Sequence, residues 1–145
     1  MELELELPQV TMPIANYLPY LVVDNMVFIS GQLPMENGKV AFTGQLGAAV
    51  SVEQGSEAAH LCGLNILAQL KAAIGSLDKV KRCVKLSGFV NAVPEFTDHP
   101  KVINGASDLM VRVFGEKGKH ARAAVGVSSL PLGAAVEVEA VFEIV

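Results

Sequence analysis

Two helical stretches stand singly in this chain, each set between strand-like runs, and that order limits the fold more than any other feature. The first follows Ser51-Val52-Glu53-Gln54, a capping box with Ser51 as N-cap and Gln54 at the third position. Ala59, Cys62, Ile66, Leu70 and Ala73 recur at intervals of three and four, Leu67 and Ile74 widen the stripe, and Gly75 is placed to end the helix. The second helix fits Pro100 to Phe114, with Asp98 as N-cap and Val102, Ile103, Ala106, Leu109, Met110 and Val113 on its core face. Ahead of them, Leu21-Val22-Val23 and Met26-Val27-Phe28-Ile29-Ser30 flank Asp24-Asn25 and predict a hairpin. Asn37-Gly38 predicts a second tight turn leading into a third strand, Val40-Ala41-Phe42. Val80 to Val93 reads as a strand stopped by Pro94, and two strands close the chain, Ala123 to Val127 and Ala135 to Ile144. Gly115 to His120 is expected to be a mobile basic loop. The order β-β-β-α-β-α-β-β favours an α+β domain, a sheet with two helices on one face.

One layer of two helices leaves the other sheet face open, and here composition matters. Hydrophobic residues make up 51% of the 145, and the mean hydropathy is +0.42. No 18-residue apolar run exists to place that excess in a membrane. Shared apolar faces in an oligomer are the simpler expectation. A net charge of −4, a pI near 5.3 and 6% aromatic residues argue against a nucleic-acid binder, which needs a basic face and stacking platforms. Cys62 and Cys83 each sit in apolar stretches and read as buried thiols of a reduced protein. Residues 1–145 read as one domain with a leader over 1–12, whose Leu3, Leu5 and Leu7 alternate with Glu2, Glu4 and Glu6. That alternation fits a strand and fits equally a mobile leader ending at Pro8. It lacks the basic start and continuous apolar core of a signal peptide, so the expected location is cytoplasmic.

Three features could carry chemistry. Arg122 stands at the start of the apolar strand Ala121-Arg122-Ala123-Ala124-Val125, where a guanidinium needs a partner. Its fork suits a bound carboxylate or phosphate, or a salt bridge to an acidic neighbour. Glu137 and Glu139 share one face of the last strand. They fit a solvated face, Glu137 as the ion-pair partner of Arg122, or Glu137 as a general base activating water. Ser30-Gly31-Gln32 at a strand end fits a plain turn, or a place where a ligand approaches the backbone. His60, His99 and His120 have no metal-ligand spacing, although His120, two residues before Arg122, could line a site. There is no phosphate loop, nucleophile elbow or zinc pattern.

At these residues the sequence resembles the reactive-intermediate deaminase family, Rid or YjgF-like, also called endoribonuclease L-PSP. The matching segments are Asn25-Met26-Val27-Phe28-Ile29-Ser30-Gly31-Gln32-Leu33-Pro34, Ala121-Arg122 and Val136-Glu137-Val138-Glu139-Ala140, within a likeness running from about Tyr17 to the C-terminus. Asn104-Gly105-Ala106-Ser107-Asp108 and Gly118-Lys119-His120-Ala121-Arg122 look like a longer branch of that family. The resemblance implies a chorismate-mutase-like fold and a homotrimer with three sites between subunits. It implies hydrolysis of short-lived 2-enamine or 2-imine acids to 2-keto acids and ammonia, with no cofactor and no metal. Arg122 would grip the substrate carboxylate and Glu137 would position or activate water, while Tyr17, Ser30, the Gly31 backbone and Asn104 line the pocket. The best-known members carry a cysteine two residues after the arginine; Ala124 stands there here, which leaves a backbone amide and no thiol.

The rival expectations are a non-catalytic module that binds a keto acid or similar small carboxylate, and an endoribonuclease or translation inhibitor, which the acidic pI disfavours. Chorismate mutase activity would rest on fold alone.

Overall fold

The computed structural model describes residues 5–10 and 16–145, and in it Tyr20–Val23, Met26–Gln32, Val136–Ile144, Val80–Asn91 and Ala121–Val127 lie side by side, in that order, as a five-stranded sheet. β1 (Tyr20–Val23) and β2 (Met26–Gln32) form the expected hairpin, turned at Asp24 in the left-handed region, φ 53. β3 (Met35–Glu36) and β4 (Lys39–Val40) make a separate ribbon, with positive φ at both Asn37 and Gly38 as the tight turn requires. The third strand expected over Val40-Ala41-Phe42 therefore does not join the main sheet. Beyond Val40 the chain turns to seat Leu46, fully buried, through backbone bonds to Asn91 and Val93.

α1 (Val52–Ile74) begins with the capping box read from the sequence, both reciprocal bonds present, and ends at Gly75. β5 (Val80–Asn91) runs down the sheet, α2 (His99–Phe114) crosses back over it, and β6 (Ala121–Val127) lies parallel to β5 at the sheet edge. β7 (Val136–Ile144) fills the slot between β2 and β5, antiparallel to both. The core lies between sheet and helices. Phe142, Leu86, Val136 and Val138 meet Ile66, Leu67 and Leu70 of α1 and Ile103, Leu109 and Met110 of α2, all at most 1% exposed. The helical stripes fall as their periodicity predicts, with Ala73 and Val113 only half-buried at the margins.

Four expectations are refined or corrected. Asp98 is the N-cap residue of α2, as expected, but its side chain makes no capping bond: its ψ of 35° is not the extended conformation that aims the carboxylate at the helix N–H groups, and that carboxylate faces Lys101 at 3.9 Å. β6 starts at Ala121, two residues before the expected boundary at Ala123, and Arg122 stands near its start as read from the sequence. Residues 115–120 are not a loose loop: Gly115–Gly118 form a 3-10 turn, and Arg82 of β5 donates to the carbonyls of Glu116 and Lys119. Residues 5–10 are not a strand, and Leu5 and Leu7 pack half-buried on the core; the rest of the leader reading, at 1–4 and 11–12, lies outside the described residues.

The two helices are in close backbone approach at Gly105, where an added Cβ would strike the Ser56 carbonyl of α1. A helix backbone cannot yield there as a flexible side chain can. Gly105→Ala is therefore expected to destabilise the chain by about 2 kcal/mol despite its better helix propensity, as read from urea unfolding; an unchanged midpoint would show the helices free to shift.

Candidate active site

The residues singled out in the sequence fall into two groups on opposite faces of the sheet. Register assigns the faces. Arg122 aligns with Leu86 of β5, which aligns with Ala140 of β7; Leu86 and Ala140 are buried beneath the helices. Glu137 aligns with Phe89 and, across β5, with Val125, on the face the helices leave open. Arg122 and Glu137 are thus two strands apart with a sheet between them. The reading of Glu137 as the ion-pair partner of Arg122 is overturned.

The helix-side group is built on α2 and β6. The Arg122 Nη1 donates to Asn104 Oδ1 at 2.8 Å and to Ser107 Oγ at 3.1 Å. Asn104 and Ser107, three apart, project from one side of α2 toward the strand. Those bonds occupy both hydrogens of Nη1. The Nε and Nη2 edge, the fork that grips a carboxylate, has no partner among the described residues. Neither does any acidic side chain pair with this guanidinium there, so its charge is not neutralised. Ala124 follows on the same side, level with Gly88 and half-buried.

The open-face group surrounds a bulge. Between Ile29 and Gln32 the pairing of β2 with β7 slips, and Ser30 and Gly31 occupy the irregularity. Ser30 ties down the incoming chain, its N–H donating to Pro19 O at 3.0 Å and its hydroxyl to Leu18 O at 2.6 Å. That anchors the segment carrying Tyr17, an exposed residue (58%). The Glu137 carboxylate lies over Gly31, and a Cβ on Gly31 would fall on Glu137 Oε2. Tyr17, Ser30, Gly31, Glu137 and Glu139 line one open cleft of about 640 Å³. Burial pushes the Glu137 carboxyl above the ordinary glutamate value, and the neighbouring Glu139 charge adds to the rise.

Around that cleft the open face is apolar: Leu21, Phe28 and Val125 are 51%, 45% and 46% exposed. The thiols take no part. Cys62 and Cys83 are buried and unpaired by disulfide, and burial pushes Cys83 up to about 12. No group of three metal-ligating side chains occurs among the described residues, and none of their helices is long and apolar enough to cross a membrane. His60 is half-buried on α1, and His99 packs edge-on to Phe96.

Sequence reasoning missed Ser107 and the carbonyl clamp of Arg82. The spacing Asn104-x-x-Ser107 on a helix carried a signal for the first; nothing local signalled the second.

An α+β sheet with two helices on one face, an arginine on the edge strand and a glutamate over a glycine bulge defines the class. The family description "YjgF/chorismate mutase-like, putative endoribonuclease" matches residues 1–144. The chain belongs to this YjgF-like, or Rid, family. It is 50% identical over 143 residues to Protein TCP17 of Trypanosoma cruzi, covering 98% of this chain and 89% of the relative. It is similar to the crystal structure of Agrobacterium tumefaciens Atu1372, with TM-score 0.90 and 54% identity over 94% of this chain and 87% of that one. A Shewanella oneidensis "putative endoribonuclease" superposes with TM-score 0.93 at 40% identity, over 97% and 93% of the two chains.

Proposed function

We propose that the chain is a deaminase that hydrolyses 2-enamine and 2-imine acids to 2-keto acids and ammonia, at sites formed between subunits of a homotrimer. The observation that carries this reading is the Arg122 guanidinium, held through Nη1 by two neutral oxygens with its carboxylate-gripping edge unoccupied. The opposite-face placement of Glu137 supports the assembly, because a site needing both residues must take them from two chains. The apolar open face offers the surface for that association.

In the proposed reaction Arg122 holds the substrate carboxylate, fixing the imine carbon relative to the partner subunit's cleft. The partner's Glu137, made a stronger base by the burial and the Glu139 charge that raise its carboxyl, takes a proton from water as the oxygen bonds to the imine carbon. That proton passes to nitrogen to give the carbinolamine; Glu137 then takes the hydroxyl proton and returns it to nitrogen, so the C=O bond forms as ammonia leaves with the C–N bond electrons. Such an addition needs placement, a base and shelter from bulk water.

The test generates 2-iminopropionate with an amino-acid oxidase and traps surviving imine with semicarbazide. Wild type is expected to suppress trapping and release ammonia stoichiometrically with pyruvate. Inert protein that still binds pyruvate would replace catalysis with small-carboxylate binding.

A further inference from the structure

Arg122 is held by a chain of hydrogen bonds that continues beyond the residues assigned a role above. Ser107 Oγ lies 2.9 Å from His120 Nε2, and His120 Nδ1 lies 2.6 Å from the Gly118 carbonyl oxygen. A carbonyl can only accept, so Nδ1 carries the hydrogen. In the neutral ring Nε2 is then an acceptor, and the Ser107 hydroxyl must donate to it. The lone pairs of Ser107 are left to face the Arg122 Nη1 at 3.1 Å. Each hydrogen in the series has one acceptor, and the direction runs from Arg122 to Ser107, to His120, to Gly118.

The far end is fixed rather than floating. Gly118 is buried, and a Cβ there would strike the Met110 carbonyl of α2, so the turn is seated directly on the helix backbone. Arg82 holds the same turn from β5 by the flanking carbonyls. Without an acceptor on His120, a helical serine hydroxyl rotates back to the carbonyl four residues earlier, and its lone pairs leave the guanidinium.

We infer that Ser107 and His120 are positioning residues for Arg122: His120 fixes the direction of the Ser107 hydroxyl, and Ser107 fixes the rotation of the guanidinium so that its Nε and Nη2 edge is presented to a substrate carboxylate. All the oxygens that hold the arginine are uncharged, so the arrangement orients the cation without neutralising it. The inference rests on the proposed role of Arg122, and it deepens that role by naming what sets its geometry.

Two readouts on the full-length protein test it. The first is a double-mutant cycle on pyruvate binding and 2-iminopropionate turnover. Ser107→Ala is expected to raise Kd and KM about tenfold, the scale of a lost hydrogen bond to a charged group, with kcat falling less. His120→Phe should match it, and His120→Gln, which keeps an acceptor for Ser107, should recover most of the loss. In the Ser107→Ala background His120→Phe should have no further effect, whereas a merely structural role would add its own loss and lower Tm in step. The second is nitrogen-detected NMR in alkaline buffer. His120 should be the Nδ1–H tautomer, and the Arg122 side-chain resonances should broaden in both Ser107→Ala and His120→Phe. An Nε2–H tautomer, additive losses, or unmoved Arg122 resonances would overturn the inference. If wild type neither binds pyruvate nor hydrolyses imine, the deaminase reading fails, and the NMR result alone decides whether the chain of bonds orients Arg122.

Discussion

Arg122→Ala is expected to lower kcat/KM for 2-iminopropionate by roughly a hundredfold or more, because it removes a charge-assisted, two-point contact worth about 3 kcal/mol. Arg122→Lys should recover little, since an ammonium is a point donor and cannot reproduce the planar Nε and Nη2 edge. Stability should change by no more than about 0.5 kcal/mol, because the side chain is exposed in the protomer and fills no core space. The same variant tests where the site lies. Mixed and refolded with Glu137→Gln, it should give, in the proposed trimer, some interfaces that pair an intact arginine from one chain with an intact glutamate from the next. An equal mixture should regain about a quarter of wild-type activity if the site spans two chains. No recovery, with hybrid trimers demonstrated, would place the reaction within one chain and contradict the opposite-face arrangement.

What could be read from the sequence divides along the range of the interactions. α1 was legible in full because its signals are local: the Ser51 and Gln54 box, the stripe, and Gly75 lie within one continuous segment. The hairpin at Asp24 and the turn at Asn37-Gly38 were legible for the same reason, since both need positive φ and carry residues that tolerate it. The short strand beyond Asn37 was overextended, because only tertiary pull on Leu46 turns the chain aside there. Arg122 and Glu137 could be picked out by chemical type and by family resemblance, but not placed. Which face a residue occupies depends on the parallel crossover through α2, and that register is set by packing. The turn at 115–118 looked loose from its glycines and lysines. It is ordered by Arg82, a residue more than thirty positions away.

Glu137→Gln should separate function from stability. As general base, Glu137 is expected to contribute on the order of a hundredfold or more to kcat, and the amide cannot accept the proton. The wild-type acid limb should fall above the ordinary glutamate value near 4.3, because burial and Glu139 both raise the carboxyl. Removing the second cause with Glu139→Gln should move that limb toward lower pH while activity above it is largely kept. The stability consequence has the opposite sign to the catalytic one. With its folded-state pKa above the unfolded-state value, Glu137 leaves the native chain holding more protons than the unfolded chain between the two. Stability therefore declines as pH rises through that window. Below the unfolded-state value the carboxyl is neutral in both states and the penalty is absent; above the folded-state value it is complete. Glu137→Gln should accordingly raise Tm at about pH 8 and leave it close to wild type below about pH 4. Gly31→Ala provides the complementary geometric test. Its Cβ would displace the Glu137 carboxylate, the free end of a flexible side chain, so folding should survive while turnover falls toward that of Glu137→Gln. A Gly31→Ala protein of normal activity would show that the carboxylate need not lie over the bulge, and would remove Glu137 from the proposed chemistry.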